Sequence, residues 1–219
     1  MKTITQEIIN QLRYKSRSHY PEKHIQKPTA EYGQEKTAEL IERIVRFTGL
    51  LPRELSDVHK ATLMYQLITE TVSYDHNKAD TTEKYSYTKA LYKGSAVCLG
   101  IAELYHILCT ACGLKSRIVN GYCTKSDKDD AYHAWTQIRI TDSDGKTAWY
   151  MFDPTWDLKE NKHAWKYFMK NDSYFQMNGH YWMTGEYEHC EFSLEHPEPY
   201  PDRVINRVIE IFREIVCAD

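Results

Sequence analysis

The sequence contains no apolar run long enough to cross a bilayer, so no membrane-spanning helix is expected. Its opening segment Ile4-Thr5-Gln6-Glu7-Ile8-Ile9 is interrupted by polar residues and lacks the apolar centre of a secretory signal. The chain as given therefore reads as cytoplasmic. No internal repeat and no low-complexity tract is visible. An excess of one charge is also missing. The 28 Lys and Arg are set against 31 Asp and Glu, for a net charge of −3, so no nucleic-acid partner is expected. A local basic cluster of Arg13, Lys15, Arg17, Lys23 and Lys27, with His19 and His24, reads as a solvated N-terminal arm. Nor is there a disulfide scaffold in Cys98, Cys109, Cys112, Cys123, Cys190 and Cys217. Cys109 and Cys112 have the spacing of half a zinc site, but no second pair matches them. They read as buried structural thiols. No other pair has metal-ligand spacing, so neither a catalytic metal nor a cofactor is expected.

What is present is a chain of 219 residues, long enough to bury a full core. Residues 1–34 read as an N-terminal arm or linker, and 35–219 as the domain. Within the arm, residues 1–15 suggest a short amphipathic helix. Residues 16–34, with Pro21, Pro28 and Gly33, suggest a loop. Leu40, Ile41, Ile44, Val45 and Phe47 mark a helix over 37–47, and Ser56 caps another running to about Val72. Residues 74–83 look irregular, and 85–92 form a short helix. After Cys98, apolar Ile101, Leu104, Tyr105, Leu108 and Cys112 make a helical stripe that stops at Gly113. Strands follow over 116–122, 131–140 and 146–152, with a turn at Asp142-Ser143-Asp144-Gly145. A short helix is expected over 162–169, a loop over 186–202, and an amphipathic helix from Val204 to Val216. Helices before Cys98 and strands after it indicate an α+β fold. The helix that opens at Cys98 packs on an antiparallel sheet.

Cys98 stands at the start of its helix, in Gly94-Ser95-Ala96-Val97-Cys98-Leu99-Gly100. His133 and Asp153 follow on successive strands, in Tyr132-His133-Ala134-Trp135 and Phe152-Asp153-Pro154-Thr155-Trp156. This is the order expected of a thiol nucleophile, its base and the group that orients the base. The thiolate is the reactive form. A helix N-terminus stabilises that anion, and a neighbouring imidazolium stabilises it further. Asp153 would accept the second ring N–H of His133 and fix its tautomer. The backbone N–H of Cys98 is the natural first oxyanion donor, with Tyr87 or Tyr92 as the side-chain donor. Trp135 and Trp156 would wall the site. His106 lies eight residues beyond Cys98, about 12 Å along a helix, too far for direct proton exchange. His76 and His163 read as exposed. His180 reads as structural rather than as a residue lining the cleft.

These ordered motifs resemble the transglutaminase-like (papain-like) superfamily. The likeness is carried by Lys93 to Ala102, Ile118-Val119-Asn120-Gly121-Tyr122, His133-Ala134-Trp135 and Phe152 to Trp156. Tyr167 to Asp172 and His180-Tyr181-Trp182 resemble the tail of bacterial members. The resemblance covers roughly residues 60 to 183. It implies Cys98 as nucleophile, His133 as base, Asp153 as orienter, and a papain-like, transglutaminase-core fold. Two departures are Ile101, where many bacterial members carry Tyr, and Thr136, where Asn often follows.

The expected chemistry is attack of a thiolate on a peptide or protein amide, giving a thioester. Water resolving it makes a cysteine peptidase or amidase, the favoured reading. An amine resolving it makes a protein-glutamine transglutaminase. An interaction module with a vestigial site is the reading from outside enzymology. A thiol oxidoreductase using Cys109 and Cys112 is disfavoured, because that pair does not open a helix.

Overall fold

The computed structural model describes residues 4–8, 10, 28–77, 82–125, 129–158, 164–183 and 185–217. Residues 4–8 are helical. The basic cluster between Arg13 and Lys27 lies outside the described residues, as does His163. Helices α1 (Pro28–Thr48), α2 (Asp57–Thr71) and α3 (Tyr87–Lys93) lie between residues 4–8 and Cys98. Two short strands, β1 (Ser73–Tyr74) and β2 (Ser95–Ala96), pair in parallel, and a 3-10 turn spans Thr82–Tyr85. Then come α4 (Cys98–Ala111), β3 (Lys115–Lys125), β4 (Asp129–Thr141) and β5 (Thr147–Phe152). The chain closes with α5 (Pro154–Asp157), α6 (Asp172–Met177), β6 (His180–Tyr181) and α7 (Asp202–Val216).

Helix α4 is the centre of the molecule, and even its polar Glu103, His106 and Thr110 are buried. Every residue from Gly100 to Ala111 is buried. A helix this rich in apolar residues is stable when covered on all sides. Helices α1, α2 and α3 lie against it from one side, and strands β3 and β4 from the other. Ser56 caps α2 by accepting the N–H of His59. Gly113, at φ 85, supplies the left-handed turn after α4. Helix α7 lays its apolar stripe on α1 and α2, where Phe47 and Phe212 meet edge to face at 5.0 Å.

The sheet has the order β5-β4-β3-β6, antiparallel throughout. One face meets α4 through Ile118 and Ala134 against Ala102 and Leu99. The opposite face carries a second core of Val119, Trp135, Met151, Phe175 and Cys190. With both faces covered, residues 133–138 of β4 are all buried. The arrangement is α+β, a buried helix on an antiparallel sheet.

Two expectations are corrected. The segment 28–34 is the first part of α1, not a loop. Proline is preorganised for a first helical turn, where its missing N–H has no role, and a glycine inside a helix costs only about 1 kcal/mol. A division of the chain between residues 34 and 35 would therefore fall inside a helix. No helix forms over 164–169 either. Trp165 and Met169 have φ of 29° and 52°. The N–H groups of Lys166 and Tyr167 donate to the Asp157 carboxylate, each at 3.0 Å, instead of to carbonyls one turn back.

Gly121 shows how tightly β3 and β6 approach. A Cβ there would overlap the carbonyl oxygen of Tyr181 and stand 2.7 Å from the Trp135 ring. Gly121→Ala should therefore part β6 from β3 and displace Trp135, costing about 1–3 kcal/mol. Urea unfolding with near-UV circular dichroism checks this. An unchanged midpoint and spectrum would contradict it.

Candidate active site

Cys98 is the first residue of α4, and Val97 before it caps the helix without any side-chain acceptor. The first-turn N–H groups thus favour an anion at this position. Cys98 is buried, with 7% of the residue exposed. Strand β5 ends its pairing with β4 at Phe152 opposite Thr136. Beyond that point β4 runs on through Trp135, Ala134 and His133, and the site occupies the edge vacated by β5.

The structure brings Cys98, His133 and Asp153 together. His133 Nε2–H donates to Asp153 Oδ2 at 2.7 Å, and both groups are buried. The imidazole also interacts with the Cys98 side chain. The backbone N–H of Ala134 also donates to the Cys98 sulfur. Asp153 is the N-cap of α5, where its Oδ1 accepts the N–H of Thr155 at 2.9 Å and of Trp156 at 3.4 Å. Its own N–H donates to the carbonyl of Tyr167 at 2.9 Å. Pro154 opens the one-turn helix, so the strand-to-helix switch itself aims the carboxylate.

The electrostatics follow from these contacts. Burial pushes the Cys98 thiol up, but the charge and hydrogen bond of His133, with the Ala134 N–H, outweigh it. The thiol lies below its ordinary value. Burial works against a charged His133, yet the Asp153 and Cys98 charges hold it well above the usual imidazole range. Burial likewise opposes the Asp153 carboxylate. The His133 charge and the hydrogen bonds from His133 and His180 keep it far below the usual range. The three groups therefore favour a thiolate–imidazolium–carboxylate chain. Other thiols go the opposite way. Burial raises Cys109 well above its ordinary value, Cys112 to about 12, and Cys190 and Cys217 upward.

His180 is the residue that sequence reasoning undervalued. Its Nε2 donates to the same Asp153 oxygen at 3.0 Å. Its Nδ1 is buried with no partner, so the proton belongs on Nε2. The ring lies among Trp156 at 4.3 Å, Phe175 at 4.6 Å, Trp135 at 5.1 Å and Tyr167 at 5.3 Å. No sequence spacing signals this, because the two-residue strand that carries His180 has no period. Trp135 and Trp156 both flank His133, each at 5.7 Å between ring centroids.

His133, Asp153 and His180 offer three ligand atoms within 4.8 Å of one another, a geometry the sequence spacing did not reveal. The same ligand atoms are joined by two hydrogen bonds to Asp153, while His180 Nδ1 has no partner. Of the other histidines, His76 is exposed, and buried His106 meets Ser116 Oγ at 3.0 Å.

Tyr87 packs in the main core, and Tyr92 stands exposed near the end of α3. Tyr74 is the phenol that senses the nucleophile. Burial, and then the charge of Cys98, push it far above its ordinary value. Its backbone lies in register with Ala96, two residues before Cys98. A tyrosine at the edge of a two-residue strand gives no signal in sequence.

Residues 48–154 match the family described as the transglutaminase-like superfamily. The match begins before the expected residue 60 and ends at Pro154, so His180 lies outside it. No curated protein matches the chain. A solved structure from Cytophaga hutchinsonii, provisionally described as a cysteine protease, is similar at 23% identity and a TM-score of 0.39. That similarity covers 57% of this chain and 38% of the other, so the chain spans little more than a third of that protein's length.

Proposed function

We propose that this chain carries out acyl chemistry on peptide or protein amides through Cys98, with hydrolysis as the net reaction. The observation that supports it best is His133 hydrogen-bonded at once to Cys98 and to Asp153 in a buried cluster at a helix start. In this reading the thiolate attacks the amide carbonyl carbon and the S–C bond forms. The imidazolium of His133 then gives its Nδ1 proton to the departing amine as the C–N bond breaks. Water, deprotonated by the same nitrogen, attacks the thioester and releases the acid and the thiolate. Asp153 keeps the proton of His133 on Nε2, and His180 holds Asp153 from the far side. The Cys98 N–H is the first oxyanion donor. Tyr74, whose phenol is electrostatically coupled to Cys98, is a further candidate for the side-chain donor beside Tyr87 and Tyr92.

The cluster needs no cofactor for these steps, and a peptide or protein is the partner it implies. A cytoplasmic setting belongs to the same proposal, because a thiolate nucleophile must stay reduced. Among the described residues, no helix is long and apolar enough to cross a membrane. The test offers a library of glutamine-containing peptides with and without a primary amine, and follows cleavage and amine incorporation separately. Cleavage that dominates even with amine present is the expected result. Amine incorporation outrunning cleavage would make the protein a transglutaminase instead. No turnover in either channel, with Cys98 no more reactive than the other thiols, would overturn thiol catalysis altogether.

A further inference from the structure

One buried carboxylate beside the site takes no part in the steps above. Asp157 closes α5, the single turn that Asp153 caps. It is 6% exposed, and burial raises its carboxyl to about 6, so it is mostly ionised at neutral pH. Three donors converge on it. Its Oδ2 accepts the Tyr65 hydroxyl at 2.6 Å and the Tyr167 N–H at 3.0 Å. Its Oδ1 accepts the Lys166 N–H at 3.0 Å. A buried carboxylate is costly even when its hydrogen bonds are complete, and a neutral side chain of similar volume would avoid that cost.

Tyr167 joins the two ends of that turn. Its N–H goes to Asp157, and its carbonyl accepts the Asp153 N–H at 2.9 Å. Its ring packs 5.1 Å from Trp156 and 5.3 Å from His180. His180 in turn donates to Asp153 Oδ2. Tyr167 therefore meets the orienting aspartate through its backbone and the second imidazole on that aspartate through its ring. Local preference does not explain this position. Trp165 and Met169, two residues to either side, have φ of 29° and 52°, in the left-handed region that side chains disfavour. Such backbone persists only where its surroundings hold it. The Asp157 carboxylate does so from one side, and the pairing of Met151 with Lys170 from the other.

We propose that Asp157 is a positioning residue for the reaction: through Tyr167 it fixes Asp153 and His180, and so the tautomer and tilt of His133. The proposal rests on Cys98, His133 and Asp153 acting as nucleophile, base and orienter.

p-Nitrophenyl acetate tests it without a peptide substrate. The Cys98 thiolate attacks the ester carbonyl, the S–C bond forms and the C–O bond breaks, releasing nitrophenolate. Water, giving a proton to His133, then attacks the thioester, and the C–S bond breaks to release acetate and the thiolate. Asp157→Asn should lower kcat about tenfold with KM little changed. Its neutral amide resembles the protonated acid that burial favours, so the fold should hold in thermal melts. Asp153→Asn and the double variant complete a cycle. A residue that acts through Asp153 has nothing left to position once that carboxylate is gone. The double variant should then be no slower than Asp153→Asn alone. Damage that merely loosens the fold would instead multiply the two losses.

Tyr65→Phe is the control. It removes a donor to the same carboxylate but not the bond to Tyr167, so kcat should stay within about twofold. If Asp157→Asn does not fold, Tyr167→Ala carries the cycle in its place, since it keeps the backbone and removes the ring beside His180. A wild-type rate in Asp157→Asn, an equal loss in Tyr65→Phe, or losses that multiply, overturns the positioning role alone. Ester turnover in wild type no faster than in Cys98→Ser overturns the nucleophile, and the role of Asp157 with it.

Discussion

Cys98→Ser should lose turnover by about 10⁴-fold or more while keeping its fold. The oxygen fits where the sulfur sits, so α4 and its packing need not move. What is lost is the anion. The surroundings of Cys98 bring a thiol below its ordinary value. The same His133 and Ala134 contacts leave a serine hydroxyl protonated at any neutral pH, because its own starting value is far higher. The measurement is the peptide assay on both channels, with thermal melting as a control for folding. Activity retained within tenfold would mean that another group is the nucleophile. Cys109 is the natural comparison. Its thiol is buried and raised, so Cys109→Ala should leave turnover alone and cost only packing.

Asp153→Asn should lower kcat by about 10²- to 10⁴-fold. The carboxylate accepts from two imidazoles through Oδ2 and from two backbone N–H groups through Oδ1. An asparagine that keeps the backbone bonds must turn its NH₂ toward His133 and His180. His133 then has to present a bare Nε2 and carry its proton on Nδ1, facing Cys98. In that tautomer it cannot take the thiol proton. The flipped alternative keeps the histidines and loses the cap of α5. The substitution should also alter the pH dependence of stability. The folded carboxyl is depressed, so it stabilises above the unfolded value of about 3.9, and that contribution disappears as pH falls below it. Asp153→Asn should flatten this acid limb in melts taken across pH. A wild-type rate and an unchanged acid limb would remove Asp153 from the site.

The sequence made legible what local rules govern. Cys98 could be placed at a helix start because an apolar stripe follows it and Gly113 ends the run. His133 and Asp153 could be placed on neighbouring strands because Asp142 to Gly145 makes a turn between alternating segments. Long-range pairing was hidden. His180 reaches Asp153 across 27 residues only because β6 pairs with Cys123 on β3. Tyr74 is set beside Ala96, two residues before Cys98, by a parallel pair two residues long. Pro28 and Gly33 looked like punctuation, whereas α1 runs through both. The expected helix after residue 162 yielded to a buried carboxylate. Asp157, raised by burial to about 6, takes the Tyr65 hydroxyl at 2.6 Å and the two N–H groups that helix would have needed.

The central claim is that Cys98 is held as a thiolate by His133. Iodoacetamide labelling of native protein across pH, read cysteine by cysteine by mass spectrometry, tests it most directly. Cys98 should label at pH values well below those needed for Cys109, Cys112, Cys190 and Cys217, and His133→Ala should move its profile to higher pH. If Cys98 labels in step with Cys217, or if His133→Ala leaves its profile in place, the thiolate–imidazolium pair does not exist.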